Sequence, residues 1–488
     1  MDPNSRLSSL AIEAFGDYVC RLCLYYVELH ERNVGNSSYR TTFKHLKELL
    51  CAAVPPSLVN EVTFKLLRRL DGLHETLHNS LKFPWCIEII NEIVKSILHP
   101  SVTQLNFAPD YWHEWPYAFD WNFIPLFVYQ HIGVLSKLKQ IRLSELMLMF
   151  WDDIDLGSVA IPPCLEEFTF MLCCTDTVLE RIAHSCPELK RLNIFESTNV
   201  SDASIDSILK LRYLVQLNVE NTSISEKGIA RLLRGLTQNQ VSENSYSWSC
   251  ASQLLRFGYS EATSSHLHTL VKNFCNLVSL NLDCDRNCNV LTLKKLENLK
   301  VLRLSCVEFP RIEKLLITLG RQLESLEICD VGPINARIIG ETCSSLKCLH
   351  ITSSDTSSIP AAEDFMSPVP GFQSVICLCL HLEYNPETVQ YLLSQCLNVR
   401  RVNVTLGVGN DNLLIDAVLS QNPLKYLEEF SWWSWSSSNL TENMSRKIVE
   451  KCPCLNILRG RYIWLRRGNI LELSKTLAHL LCFEPQIL

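Results

Sequence analysis

The sequence predicts an α/β solenoid, with parallel strands on a concave face and helices outside, behind an all-α amino-terminal region. Three observations predict it. A short apolar triplet, Leu-x-x-Leu-x-Leu, recurs eleven times between Leu165 and Leu455. Its first positions lie 22 to 29 residues apart, except across one gap of 63. Before residue 101 the apolar residues follow a helical period instead, broken by Pro55, Pro56 and Pro100.

Residues 1–100 read as four helices. The first falls within 7–29, where Leu10, Ala14, Val19, Leu22, Leu24, Tyr26 and Val27 recur roughly once per turn. FKHLKELLCAAV makes a second, stopped by Pro55 and Pro56. SLVNEVTFKLLRRL makes a third, with Ser57 as its N-cap and Glu61 near the capping-box position. WCIEIINEIVKSIL makes a fourth, ending before His99-Pro100. SVTQLNF from Ser101 reads as a first, degenerate strand, and LSKLKQIRL from Leu135 resumes the pattern after the Trp-rich insert DYWHEWPYAFDWNF. The clear triplets start at Leu165, Leu189, Leu214, Leu277, Leu299, Leu323 and Leu346, and looser ones at Val375, Val399, Leu427 and Leu455. The expected organisation is a helical region over 1–100 and a repeat array over 101–488. Insertions are expected near 236–265, where the long gap hides a further repeat, and near 353–370.

A fixed period in the twenties is the signature of a leucine-rich-repeat solenoid. The three anchors of each short strand point inward, and the residues between them face the concave side. A helix then covers the outer face, as in IDSILKLRYL and ISEKGIARLLRGL. Each repeat buries its anchors only by stacking on its neighbours. Cys186, Cys343, Cys396 and Cys452 each stand three residues before an anchor, and Cys275 stands two before. A cysteine recurring at one repeat position is a small buried filler. With the loops NVSDASI and SISEKGI, it resembles the cysteine-containing repeat subtype common in ubiquitin-ligase substrate receptors.

Composition narrows the function classes. The 488 residues are 47% hydrophobic and 20% charged, which is globular, and exceed one ordinary core. A net charge of −7 with no basic block argues against nucleic acid as a partner. No stretch of about 18 apolar residues offers a membrane span, and the first thirty residues lack a signal-peptide pattern. The 22 cysteines are then expected as reduced thiols in a cytoplasmic or nuclear protein.

No nucleophile elbow, phosphate loop or His-Glu-x-x-His motif is present, so no enzyme is expected and no cofactor is implied. Cys20-x-x-Cys23 has metal-ligand spacing without a second pair, and Cys284-x-x-x-Cys288 has only His266 and His268 near it in sequence. Both pairs read as structural thiols.

The amino-terminal helices carry the functional signal. SLAIEAFGDYV resembles the elongin-C-binding box through Ser9, Leu10 and Ala14, with Tyr18 at the last position in place of an aliphatic residue. VPPSLVNEV resembles the cullin box through Val54, Pro55, Leu58 and Val62. The two together are similar to a von Hippel–Lindau-type box ahead of leucine-rich repeats. The resemblance implies a non-catalytic substrate-recognition subunit of a cullin-RING ubiquitin ligase, docking elongin C and a cullin. The second segment also resembles the start of an F-box, which implies an F-box-binding adaptor instead. A third reading leaves these helices as a cap on the repeat core, and the chain as an interaction scaffold without a ligase role. A protein substrate is expected on the concave face, where Arg401, Trp433, Arg459 and Arg461 collect residue types enriched at interface hot spots. An acidic peptide would suit them.

Overall fold

In the computed structural model, α1 (Pro3–Glu31), α2 (Ser38–Ala53), α3 (Val59–Asp71) and α4 (Pro84–Ile97) precede every strand. The structure describes residues 3–31, 38–73, 77, 84–107, 124–143, 156–238, 240–241, 247–248, 250–332, 334–353, 369–407, 411–434, 441–460 and 463–466. α1 buries Val19, Cys23, Tyr26 and Val27 and packs on α3 and α4. Pro55 and Pro56 end α2, since neither can donate a backbone hydrogen bond. The expected cap at Ser57 does not form. The Leu58 amide instead turns back onto the Pro55 carbonyl at 2.9 Å, so that Leu58 enters α3 with no side-chain cap. Glu61 pairs one turn on with Lys65, at 2.7 Å, rather than capping. No described helix is long and apolar enough to cross a membrane.

The chain forms two compact units, Met1–Leu254 and Leu255–Leu488. In the first, five parallel strands follow in chain order: β1 (Gln104–Asn106), β2 (Gln140–Leu143), β3 (Glu167–Phe170), β4 (Arg191–Asn193) and β5 (Gln216–Val219). α3 lies against β1 and is tied to the first repeat. Asn60 exchanges two 2.9 Å hydrogen bonds with Thr103, and Ile124 N donates to Asp71 Oδ1 at 3.0 Å. A two-stranded hairpin, β6 (Gln240–Val241) and β7 (Ser247–Trp248), follows β5.

The second unit holds β8 (Arg256–Ala262), β9 (Ser279–Cys284), β10 (Val301–Ser305), β11 (Ser325–Cys329), β12 (Cys348–Ser353), β13 (Cys377–Leu382), β14 (Arg401–Leu406), β15 (Glu429–Ser434) and β16 (Ile457–Gly460). All nine are parallel and paired in chain order, and β17 (Ile463–Arg466) runs antiparallel to β16. β8 is the repeat hidden in the long gap. Its anchors are Leu254, Phe257 and Tyr259, all buried. Both units thus have leucine-rich-repeat architecture.

Leu299, Leu302 and Leu304 illustrate the repeat. All three are fully buried, and Leu302 stands in register between Leu280 and Leu326. The filler cysteines close the helices. Cys186, Cys343, Cys396 and Cys452 are each the C-cap residue, each buried, with Cys186 Sγ donating to the Pro162 carbonyl at 3.2 Å. Burial pushes the Cys343 thiol up to about 11 and those of Cys186 and Cys452 up to about 12, so these are inert packing groups. Cys275 does not share that role. It is exposed, and Phe274 fills the equivalent buried site.

Strand exits come in two kinds. Leu172, Glu196, Asn221, Glu261, Cys306 and Asp330 each stand seven residues after a first anchor and adopt φ between 49° and 69°. This left-handed turn costs a side-chain-bearing residue about 1–2 kcal/mol. In β9 and in β12 to β15 the chain stays extended there, and each of those strands is six residues long.

Helix N-termini in the first unit are linked from repeat to repeat. Thr175, Ser201 and Ser225 are N-caps. Asp176 accepts from Ser201 N at 2.9 Å, from Ser201 Oγ at 2.7 Å and from Ser204 Oγ. Asp202 accepts from Ser225 N at 2.8 Å and Ser225 Oγ at 2.7 Å. A Cβ on Gly228 would stand 2.0 Å from Asp202 Oδ1, so glycine keeps this second link open. Burial alone would raise the Asp176 pKa, but the hydrogen bonds from Ser204 and Ser201 hold it below the usual carboxylate value. A carboxylate depressed in the folded state stabilises at neutral pH, and that contribution is lost as pH falls through its folded pKa. Asp176→Ala should therefore cost about 1–3 kcal/mol at pH 7, the cost of leaving buried donors unpaired. The difference from the parent should shrink on acidification below the carboxylate range, read by chemical denaturation at several pH values.

Candidate interaction surfaces

Two surfaces carry the residues singled out in the sequence. The first is on α1. Ser9 and Leu10 lie on its first turns, where only the backbone is described. Ala14, four residues on, is exposed, and so is Tyr18 after another four. Positions four apart share one helix face. The opposite face holds the buried Val19 and Cys23. Ala11 and Tyr25 extend the exposed side, and the Phe15 ring lies 6.1 Å from that of Tyr18. Small and aromatic side chains therefore face outward along several turns.

The second box is at the α2–α3 corner. Pro55 is exposed, Val54 and Leu58 are half-buried, and Val62 is part of the core. α3 carries this corner against α1, where Cys20 Sγ donates to the Arg69 carbonyl at 3.3 Å and Arg69 lies 3.7 Å from Asp17. Residues 49 places apart in sequence are thus brought together by one helix pair.

The second surface is the strand face opposite the helices. The residues between the anchors face this side, and in the middle repeats many of them are closed off from solvent. Asn281, Arg303, Ser305, Ser325, Glu327, Cys329 and His350 are buried. They form a polar row across the strands. Arg303 Nε donates to Glu327 Oε1 at 3.0 Å, and His350 Nδ1 lies 3.4 Å from the same oxygen. Cys329 Sγ donates to that carboxylate at 3.6 Å. The row continues through the His350 and His381 rings, 5.2 Å apart, to Thr405 Oγ1, 2.9 Å from His381 Nδ1. Burial, with His350 adding to it, lowers the His381 pKa to about 4, so this imidazole is neutral at physiological pH. Nothing in the linear sequence marks the network. From Arg303 to Glu327, His350, His381 and Thr405, successive members are 23 to 31 residues apart and meet only through strand register.

Beyond β12 the same face opens. Cys377, Cys379 and His381, then Arg401, Asn403 and Thr405, then Glu429, Ser431 and Trp433, then Ile457 and Arg459 are all half-exposed. Arg401, Trp433 and Arg459 therefore share one face on consecutive strands. Arg459 pairs in register with Ser431, two residues before Trp433. Arg401 is opposite Glu429, so a carboxylate already stands beside the first of the expected cations. Trp432, on the other side of β15, is buried. Arg461 lies outside the described residues, as does Trp435.

The two cysteine pairs read as structural separate. Cys23 is core, while Cys20 is bound to the α3 backbone. Cys284 and Cys288 are both buried, as is His266, while His268 is exposed. Among the described residues no group of three or more His, Cys, Asp or Glu could hold a metal ion.

No family model matches this chain. No curated protein matches it either. Solved structures do. The Rad7 and Elc1 complex of yeast aligns at 14% identity over 88% of this chain and 92% of that one, with a TM-score of 0.46. An internalin of Listeria monocytogenes aligns at 13% identity over 74% and 94%, with a TM-score of 0.33. A leucine-rich-repeat protein of Leptospira interrogans aligns at 13% identity over 66% and 91%, with a TM-score of 0.26. The chain is a leucine-rich-repeat protein on its own strand register and anchors, with a helical region ahead of the first strand.

The buried charges of the polar row depend on each other. Glu327→Ala leaves the Arg303 guanidinium without its carboxylate and should cost about 3–5 kcal/mol. The paired replacement Arg303→Met with Glu327→Leu should recover most of that loss. Urea denaturation of the single and double variants checks both, and equal losses in the two would contradict the coupling.

Proposed function

We propose that this chain is the non-catalytic substrate-recognition subunit of a cullin-RING ubiquitin ligase. One end docks the adaptor through α1, and the repeat face of β13 to β16 holds a protein substrate. The observation that carries the reading is the outward face of α1. A box that works by inserting a helix stripe into a partner's groove must leave that stripe uncovered by its own fold. Ala14 and Tyr18 meet this condition while Val19 and Cys23 hold the helix in place. Leu10 precedes Ala14 by four residues and so shares its helix face, Ser9 belongs to the same box in sequence, and Val54, Pro55 and Leu58 supply the cullin-side contact from the adjoining corner. Elongin C is the adaptor that this arrangement favours.

On the substrate side, Arg401, Trp433 and Arg459 offer a cationic and aromatic patch to an acidic segment. Glu429 tempers the charge beside Arg401. The reading carries with it a cytoplasmic or nuclear setting, where the buried filler thiols stay reduced. The alternative is a leucine-rich-repeat scaffold without a ligase role, favoured by α3 lying on β1 as an end cap would.

Co-purification with recombinant elongin B–C separates the two. Ala14 is exposed, so Ala14→Arg should leave the fold intact and abolish co-purification, and Leu10→Ser should weaken it at least tenfold. Undiminished recovery with both variants, or no recovery with the parent chain, rejects the ligase reading.

A further inference from the structure

Two ion triads lie side by side on β2 to β4, in the first unit. Glu167 is buried on the strand face, and each of its oxygens holds a guanidinium. From β2, Arg142 Nε donates to Oε1. From β4, Arg191 stands in register with Glu167 and donates to Oε2, through Nε at 2.7 Å and Nη2 at 2.6 Å. One residue before the same strands, Glu166 stands between Lys139 Nζ at 3.1 Å and Lys190 Nζ at 2.9 Å. Four cations thus meet two carboxylates, and strand register gathers all six onto three consecutive repeats.

A comparable pair of triads on β10 to β12 sets off what is particular to the first. There Lys300 and Lys347 flank Glu324, while Arg303 and His350 flank Glu327. Arg303 is only 9% exposed, and the third member is an imidazole instead of a second guanidinium. In the first unit both flanking groups are guanidiniums, always charged, and Arg142 and Arg191 keep 29% and 35% of their side chains exposed. One carboxylate cannot neutralise two of them, so positive charge is left facing solvent on a chain whose net charge is −7. Each guanidinium also carries five N–H donors, and the pair has more than Glu167 can accept. The buried carboxylate holds both forks in place before any ligand arrives, because losing either would leave it poorly paired out of water. Close by, Asn193 Oδ1 accepts from Phe195 N at 3.2 Å, which leaves the amide nitrogen to donate elsewhere. Met171 and Phe195 are half-exposed at the exits of β3 and β4.

We propose that the strand face of β2 to β4 is a protein-binding site in its own right, for an extended acidic segment of a partner. The partner's carboxylates lie against the Arg142 and Arg191 forks, with Lys139 and Lys190 at the rim, and its apolar side chains rest on Met171 and Phe195. Arginine forks match carboxylates two hydrogen bonds at a time. Glu166 and Glu167, set between the cations, oppose a continuous phosphate backbone, which needs clustered cations alone, so a peptide suits the face better than a nucleic acid. The site uses other strands than the substrate face of β13 to β16 and does not rest on the ligase reading.

The test titrates the full chain into a fluorescein-labelled peptide, Gly-Glu-Leu-Glu-Glu-Leu-Glu-Gly, and follows its anisotropy. Binding should weaken as salt is raised and vanish when glutamine replaces every glutamate of the peptide. Arg191→Gln leaves Arg142 on Glu167 and should weaken binding about tenfold, the effect of one charged hydrogen-bonding partner lost. Because β13 to β16 also favour acidic segments, lysine acetylation of the parent chain locates the peptide. Bound peptide should protect Lys139 and Lys190, while Lys300 and Lys347, held on Glu324 in the same manner, stay reactive. This readout needs no variant and decides alone should Arg191→Gln fail to fold. The proposal is overturned if neither Lys139 nor Lys190 is protected, if a folded Arg191→Gln chain binds as tightly as the parent, or if the glutamine peptide binds equally well. Tighter binding of an oligothymidylate at the same two lysines overturns it too.

Discussion

Stacking in register is the constraint on which the rest of this molecule depends. Leu302 reaches full burial because Leu280 and Leu326 stand beside it on neighbouring strands, and each of those depends on its own neighbour in turn. No repeat has a core of its own, so the ends need cover and the interior positions tolerate little. The carboxyl-terminal end of the ladder turns back through β17. In the first unit α3 lies on β1 and clamps it through Asn60 and Thr103. The helices that carry the proposed adaptor box are therefore also structural. One side of α1 supports the fold, and the other is exposed at Ala14 and Tyr18.

The same stacking shapes the strand face. Residues between anchors are forced into rows that cross the strands, and a row can close on itself or stay open. From β10 to β12 it closes: Arg303, Glu327 and His350 bind one another and are lost to solvent. From β13 to β16 the strands are half-exposed on this side. β12 to β15 also run extended through the position at which β10 and β11 turn left-handed, which lengthens the face where it is accessible.

Much of this was legible in the chain because anchor spacing is a direct image of strand stacking. Leu165 through Leu455 mark their strands, and Val102 and Leu138 begin two more. β8 was hidden within the long gap, whose polar run from Gln238 reads as an insertion. Ser57 was misplaced as a cap because the Leu58 amide closes a turn on the Pro55 carbonyl, which puts Leu58 at the head of α3. The buried row was invisible, since hydrogen bonds between residues some 24 positions apart leave no local trace.

The functional reading rests on a division of labour within the chain: adaptor contact on α1 and its corner, substrate contact on β13 to β16. Hydrogen–deuterium exchange of the full chain, with and without elongin B–C, tests that division most directly. The account predicts slowed exchange in α1 around Ala11 to Tyr25 and at Val54 to Leu58, with β13 to β16 unchanged. Protection on the strand face with α1 unaffected, or no protection anywhere, would contradict it.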